Sequence, residues 1–167
     1  MKRQLFIYGY SDYARLCRQY FSMLPVNEFQ TFLVDEAYLP DLANVTDSVA
    51  SIDDPVIRKR LKEGTLFVSI GYARMRFRQL CFEKARTLGA EMSNFISPRA
   101  YVDPTVTMGS NNIIMPGSVI EPFVTLGDNN IIWSNTTICH DSYIGSHNFF
   151  AVIATAMVEF TSPITIM

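Results

Sequence analysis

The chain has 167 residues, of which 49% are hydrophobic, with a formal net charge of −2. That is enough apolar matter for a packed core and too little net charge for a disordered chain. The balance also lacks the basic footprint of a nucleic-acid binder.

"QLFIYG" reads as a strand ending at Gly9, and "SDYARLCRQYFSML" as the helix after it, with Ser11 or Asp12 as N-cap. "FQTFLVDE" is a second strand, ending at Asp35. "DDPVIRKRLKE" begins like a helix, Asp54 standing before Pro55 in the first turn. "TLFVSIGY" is a further buried strand, and "RMRFRQLCFEKARTLG" a helix that stops at Gly89. This alternation predicts an α/β N-terminal domain, residues 1–94, with a small parallel sheet and covering helices. Gly9 stands without the further glycines of the dinucleotide fingerprint, which argues against a nicotinamide enzyme.

From about residue 95 a period of six takes over. Ile96, Val102, Met108, Ile114, Ile120, Leu126, Ile132, Ile138, Ile144 and Phe150 stand at strict six-residue spacing. "GSNN" and "GDNN" recur eighteen residues apart as turn chemistry. A hexad that makes a short strand and a bend closes a three-sided coil every eighteen residues, and such a repeat marks a β-helix. One aliphatic side chain per hexad then points inward. Ile96, Ile114, Ile132 and Phe150 are expected in one ladder, Val102, Ile120 and Ile138 in the second, Met108, Leu126 and Ile144 in the third. Residues 95–167 form this second domain, and the pattern predicts its departure after Ala151, since Ala156 and Ser162 would fill no ladder.

No apolar run reaches membrane-spanning length. The start, "MKRQLFIYGYSDYAR", has too short an apolar stretch for a signal peptide, so a cytoplasmic location is expected. Cys17, Cys81 and Cys139 are odd in number with no CxxC spacing, so neither disulfides nor a metal site is expected.

The hexads resemble those of left-handed β-helix acyltransferases. "FIYGYSDYA", "FLVDE", "FVSIGYARMRFR" and "NFISPRAYVDPTVTMG" are similar to the sugar-binding part of sialic acid O-acetyltransferase and bacillosamine N-acetyltransferase-like proteins, and "NIIWSNTTICHDSYIGSHNFFA" to their active-site coil. The resemblance implies a left-handed β-helix, trimers formed through it, and acetyl-CoA-dependent acyl transfer to a hydroxyl or amine of a nucleotide-activated sugar in surface glycan synthesis. It implies that the first domain is Rossmann-like and grips the nucleotide sugar through Gly9, Tyr10, Ser11, Asp35, Gly71, Tyr72 and Arg76. His140 falls where these proteins keep the general base, and Asp141 beside it is expected to orient the imidazole. Histidine suits that task because its ordinary pKa lies near neutrality. His147 is a candidate for contacting acetyl-CoA or a neighbouring subunit and is equally readable as a turn histidine. Trp133 is a candidate for stacking on a sugar or CoA ring, with packing the favoured alternative. The family continues for more coils than this repeat supplies. A truncated helix is therefore expected, and with it a second reading: a sugar-nucleotide-binding or scaffold protein without catalysis.

Overall fold

The computed structural model describes residues 3–25 and 27–156, and Ser162 lies outside them. The chain divides between Phe95 and Ile96 into two compact units.

The first unit opens with β1 (Arg3–Tyr8), α1 (Asp12–Phe21) and β2 (Asn27–Val34). It continues with β3 (Val49–Ser51), α2 (Pro55–Leu61), β4 (Thr65–Val68), α3 (Met75–Thr87) and β5 (Glu91–Met92). The five strands are parallel in the order β3-β2-β1-β4-β5. Leu5, Phe6, Ile7 and Tyr8 are all buried, because the central strand of such a sheet is covered on both faces. On one face Phe6, Leu33, Leu66 and Val68 pack against Ile57, Leu61, Phe82 and Ala85 of α2 and α3. Ser11 caps α1 by accepting from Ala14 N, and Asp54 caps α2 by accepting from Val56 and Ile57 N. The short strands β3 and β5, and two 3-10 turns at Glu36–Tyr38 and Pro40–Leu42, carry too little apolar pattern to be read in the sequence.

The second unit is a prism of two-residue strands. β7 (Tyr101–Val102), β10 (Val119–Ile120), β13 (Thr137–Ile138) and β16 (Thr155–Ala156) form one wall. β8 (Thr107–Met108), β11 (Thr125–Leu126) and β14 (Tyr143–Ile144) form the second. The third wall holds β9 (Ile113–Ile114), β12 (Ile131–Ile132) and β15 (Phe149–Phe150), preceded along the chain by β6 (Phe95–Ile96). Within these walls the strand pairs are parallel and in register eighteen residues apart, Val119 beside Thr137 and Leu126 beside Ile144.

The expected ladders form at their centre. Ile114, Ile120, Leu126, Ile132, Ile138 and Ile144 make one core, with Val102, Met108 and Phe150 packed against it. Burial of each such side chain is worth about 1.5–3 kcal/mol. Two expectations are corrected at the ends. Ile96 is 36% exposed and is no part of that core, whereas its neighbour Phe95 is fully buried, against Phe21 in the first unit. The departure after Ala151 comes later than expected: Ala156 pairs with Ile138 and packs against the core, a small side chain still continuing the third coil.

A hexad also turns a second position inward. Asn112, Ser118, Val124, Asn130 and Thr136, each two residues before a ladder position, are fully buried. Three of the polar ones donate to the corners, Ser118 Oγ to Trp133 O at 2.8 Å, Asn112 Nδ2 to Gly127 O at 2.9 Å and Thr136 Oγ1 to Ala151 O at 3.0 Å, while Asn130 Nδ2 is buried without a partner among the described residues. Close stacking governs a neighbouring column. A Cβ at Gly127 would lie 2.8 Å from the Gly145 carbonyl carbon, while one at Gly145 would meet nothing within 4 Å. No helix among the described residues is long and apolar enough to cross a membrane.

Candidate functional site

In the first unit strand order reverses about β1, and the carboxyl ends of β1, β2 and β4 open into a cavity of about 600 Å³. Such a crevice at the switch point of a parallel sheet is where ligands of these folds bind. Gly9, Tyr10 and Ser11 form its floor after β1, Asp35 stands at the end of β2, and Gly71 and Tyr72 follow β4. Gly9 has φ +123, and a Cβ there would lie 2.8 Å from Ser69 Oγ, so glycine is required for the turn. Ser11 ends the turn and starts α1, whose first N–H groups face this end of the sheet.

Arg76 does not line the cavity; Arg74 does. The helix explains the exchange. α3 begins at Met75 and turns Phe77 and Cys81, four residues apart, to the cavity, so Arg76 falls about 100° away on an exposed face.

Asp35 is already engaged. Tyr8 Oη donates to its two oxygens at 2.9 and 2.8 Å, and Lys84 Nζ approaches Oδ1 at 2.5 Å. Burial, followed by Cys81 and Asp35, pushes the Tyr8 phenol far above its ordinary pKa, so it stays a donor. Lys84 also donates to Asp53 at 2.9 Å, and that bond is the main reason the Asp53 carboxyl is held below its usual range. Burial pulls the Lys84 ammonium down, but its hydrogen bonds to Asp35 and Asp53 outweigh it and raise its pKa. Asp47 ties the cavity's other wall, which carries Tyr38, Asp41 and Leu42, to α1 by accepting from Tyr10 Oη at 3.0 Å and pairing with Arg18 at 3.0 Å.

Two residues that support this cavity escaped the sequence reading. Lys84 reads there as an ordinary solvated cation. Arg78 is fully buried, and its Nη1 donates to Val68 O at 2.6 Å and Ile70 O at 2.9 Å, fixing the chain as it leaves β4. Desolvation depresses the Arg78 pKa.

The second unit carries a shallow groove at the corner that follows β10 and β13, lined by Tyr101, Val119, Glu121, Pro122, Phe123, His140 and Asp141. His140 projects from the turn after β13, its side chain 59% exposed. Its Nδ1 is 2.8 Å from Asp141 Oδ2. Asp141 has φ +56, a left-handed conformation that aspartate tolerates, and its N–H donates to Pro122 O one coil below. With Nδ1–H held by the carboxylate, Nε2 carries the lone pair of the ring. Phe123 also has a left-handed φ, +65, and is 63% exposed.

His147 and Trp133 lie at other corners. His147 tops a column of left-handed residues above Asn111 and Asn129. Asn111 Nδ2 donates to Asn129 Oδ1 at 2.7 Å, so Asn129 Nδ2 donates in turn to His147 Nδ1, at 2.8 Å. Trp133 follows β12 and meets the Phe149 ring edge-on at 6.2 Å between centroids. Among the described residues no group of three His, Cys, Asp or Glu is placed to hold a metal ion.

Residues 105–140 match the family model "Bacterial transferase hexapeptide (six repeats)". The second unit has the hexapeptide-repeat fold. The acetyltransferase domain of PglB from Neisseria gonorrhoeae FA1090, solved with acetyl coenzyme A, is 18% identical, with a TM-score of 0.69 over 89% of this chain and 70% of that one. PerB from Caulobacter crescentus, solved with CoA and GDP-perosamine, is 19% identical, with a TM-score of 0.59 over 93% and 92%. WeeI from Acinetobacter baumannii AYE is 20% identical, with a TM-score of 0.68 over 90% and 70%. The hexapeptide-repeat β-helix of this chain is thus of the left-handed kind that the resemblance implies. No curated protein sequence matches the chain.

Proposed function

We propose that this protein transfers an acetyl group from acetyl-CoA to an amine of a nucleotide-linked sugar, with His140 as general base. The single observation that carries the reading is the His140–Asp141 pair, Nδ1 to Oδ2 at 2.8 Å, on a rigid corner of a hexapeptide-repeat coil. Support comes from the fold shared with a domain solved with acetyl coenzyme A and with a protein solved with CoA and GDP-perosamine.

In this reading the first unit holds the nucleotide. The N–H groups after Ser11 and the Arg74 guanidinium meet the phosphates, and Asp35, preset by Tyr8 and Lys84, accepts from a hydroxyl or ring N–H. At the second unit Nε2 of His140 takes a proton from the acceptor amine as its nitrogen attacks the thioester carbonyl. Collapse of the tetrahedral intermediate breaks the C–S bond, and the proton passes to the leaving thiolate, giving the amide and CoA. The chain's own contribution is to orient the imidazole and fix its tautomer; the thioester supplies the activated acyl group. His147 and Trp133 are the acetyl-CoA contacts of this reading. They sit at other corners than His140, and the reading takes the protein to act as a homotrimer.

Calorimetry separates this from a scaffold that keeps only the sugar-nucleotide site. Titration of the full chain with a nucleotide-linked amino sugar and, separately, with CoA gives a binding isotherm for each ligand if the protein is a transferase. Binding of the sugar nucleotide alone supports the scaffold.

A further inference from the structure

At the groove corner the coils place Pro104, Pro122 and His140 in one column, eighteen residues apart. The two prolines have no N–H, so the corner in the lower coils needs no acceptor at this position. His140 restores the N–H, a donor that this corner of the lower coils lacks. The acceptor is supplied from the coil below. Glu121 Oε2 takes the His140 N–H at 2.8 Å, across nineteen residues of sequence. Glu121 is half-buried and lines the same groove as His140, Asp141 and Phe123. The base is therefore held at two points by two carboxylates, its ring by Asp141 and its backbone by Glu121.

We infer that Glu121 is a positioning residue for His140: it fixes the corner from which the imidazole reaches the acceptor and touches no reacting atom itself. The inference rests on the reading of His140 as base. A glutamate here has no structural precedent within the column, since the equivalent residues Asp103 and Cys139 serve other partners or none of this kind; Asp103 Oδ1 accepts from Thr105 N, two residues on in its own turn.

The test uses the full chain and two variants, Glu121→Ala and Glu121→Gln, with amide hydrogen exchange at His140 read by NMR beside steady-state kinetics. Glutamine keeps an oxygen acceptor and alanine does not. The expected result is that His140 N–H exchange accelerates in Glu121→Ala and stays protected in Glu121→Gln, while the Ile114 N–H, on another wall, is unchanged in both. In step with this, kcat falls on the order of ten- to a hundredfold in Glu121→Ala and is restored to within about threefold of wild type in Glu121→Gln, KM for the sugar nucleotide staying constant. Unchanged exchange in Glu121→Ala, protection lost without any loss of kcat, or an equal loss of kcat in both variants overturns the inference. Full turnover by His140→Ala instead overturns the base reading, and the exchange measurement still reports the Glu121 contact by itself.

Discussion

His140→Ala lowers kcat by about 10²–10⁴-fold while the dissociation constant of the sugar nucleotide stays within about twofold of wild type. The magnitude is that of a positioned general base removed from a proton transfer. The split arises because the cavity that receives the nucleotide in the proposed reading lies wholly on residues of the first unit, and His140 belongs to the second. The loss is not a folding effect: the His140 side chain is mostly exposed and its contact with Asp141 is a solvent-facing pair, worth little to stability. Release of free thiol from acetyl-CoA gives kcat, and calorimetry gives the dissociation constant. A loss of less than about threefold in kcat, or a parallel loss of nucleotide affinity, contradicts the assignment.

The second large effect is on stability. Arg78→Ala destabilises the protein by about 2–5 kcal/mol, because it deletes a fully buried side chain and strands the carbonyls of Val68 and Ile70 at the end of β4. Arg78→Met refills much of the volume without donating, so its cost falls between wild type and alanine and isolates the hydrogen-bond contribution. Because Ile70, Gly71, Tyr72, Ala73 and Arg74 line the cavity directly after those carbonyls, both variants also bind the sugar nucleotide more weakly. Urea unfolding followed by circular dichroism measures the first effect and calorimetry the second. A midpoint unchanged in Arg78→Ala shows that the guanidinium supports nothing at this strand end.

Periodicity carried most of the fold. Six-residue spacing from Val102 to Phe150 translates directly into a stacked core, because a repeat that closes on itself leaves each ladder position one environment. The alternation of the first half likewise foretold three of the five strands and all three helices, with Ser11 and Asp54 as caps. What stayed hidden were residues whose role depends on neighbours remote in sequence. Asn112, Ser118 and Thr136 look like loop residues until the coil above supplies acceptors for them. Arg78 sits among Arg74, Arg76 and Arg86 and is distinguished only by burial. Telling Arg74 from Arg76 as the cavity residue needed the start of α3 to within one residue, because a helix turns each position by about 100°. Glu121 meets His140 only once the coil register is known.

The account's central claim is acyl transfer, and the most direct measurement is the mass of the sugar after incubation of wild-type protein with acetyl-CoA and a nucleotide-linked amino sugar. The account predicts a product heavier by one acetyl group, formed in step with free CoA and absent when His140→Ala replaces the wild type at equal concentration. An unmodified sugar, from a wild-type preparation that calorimetry shows to bind both ligands, would contradict it.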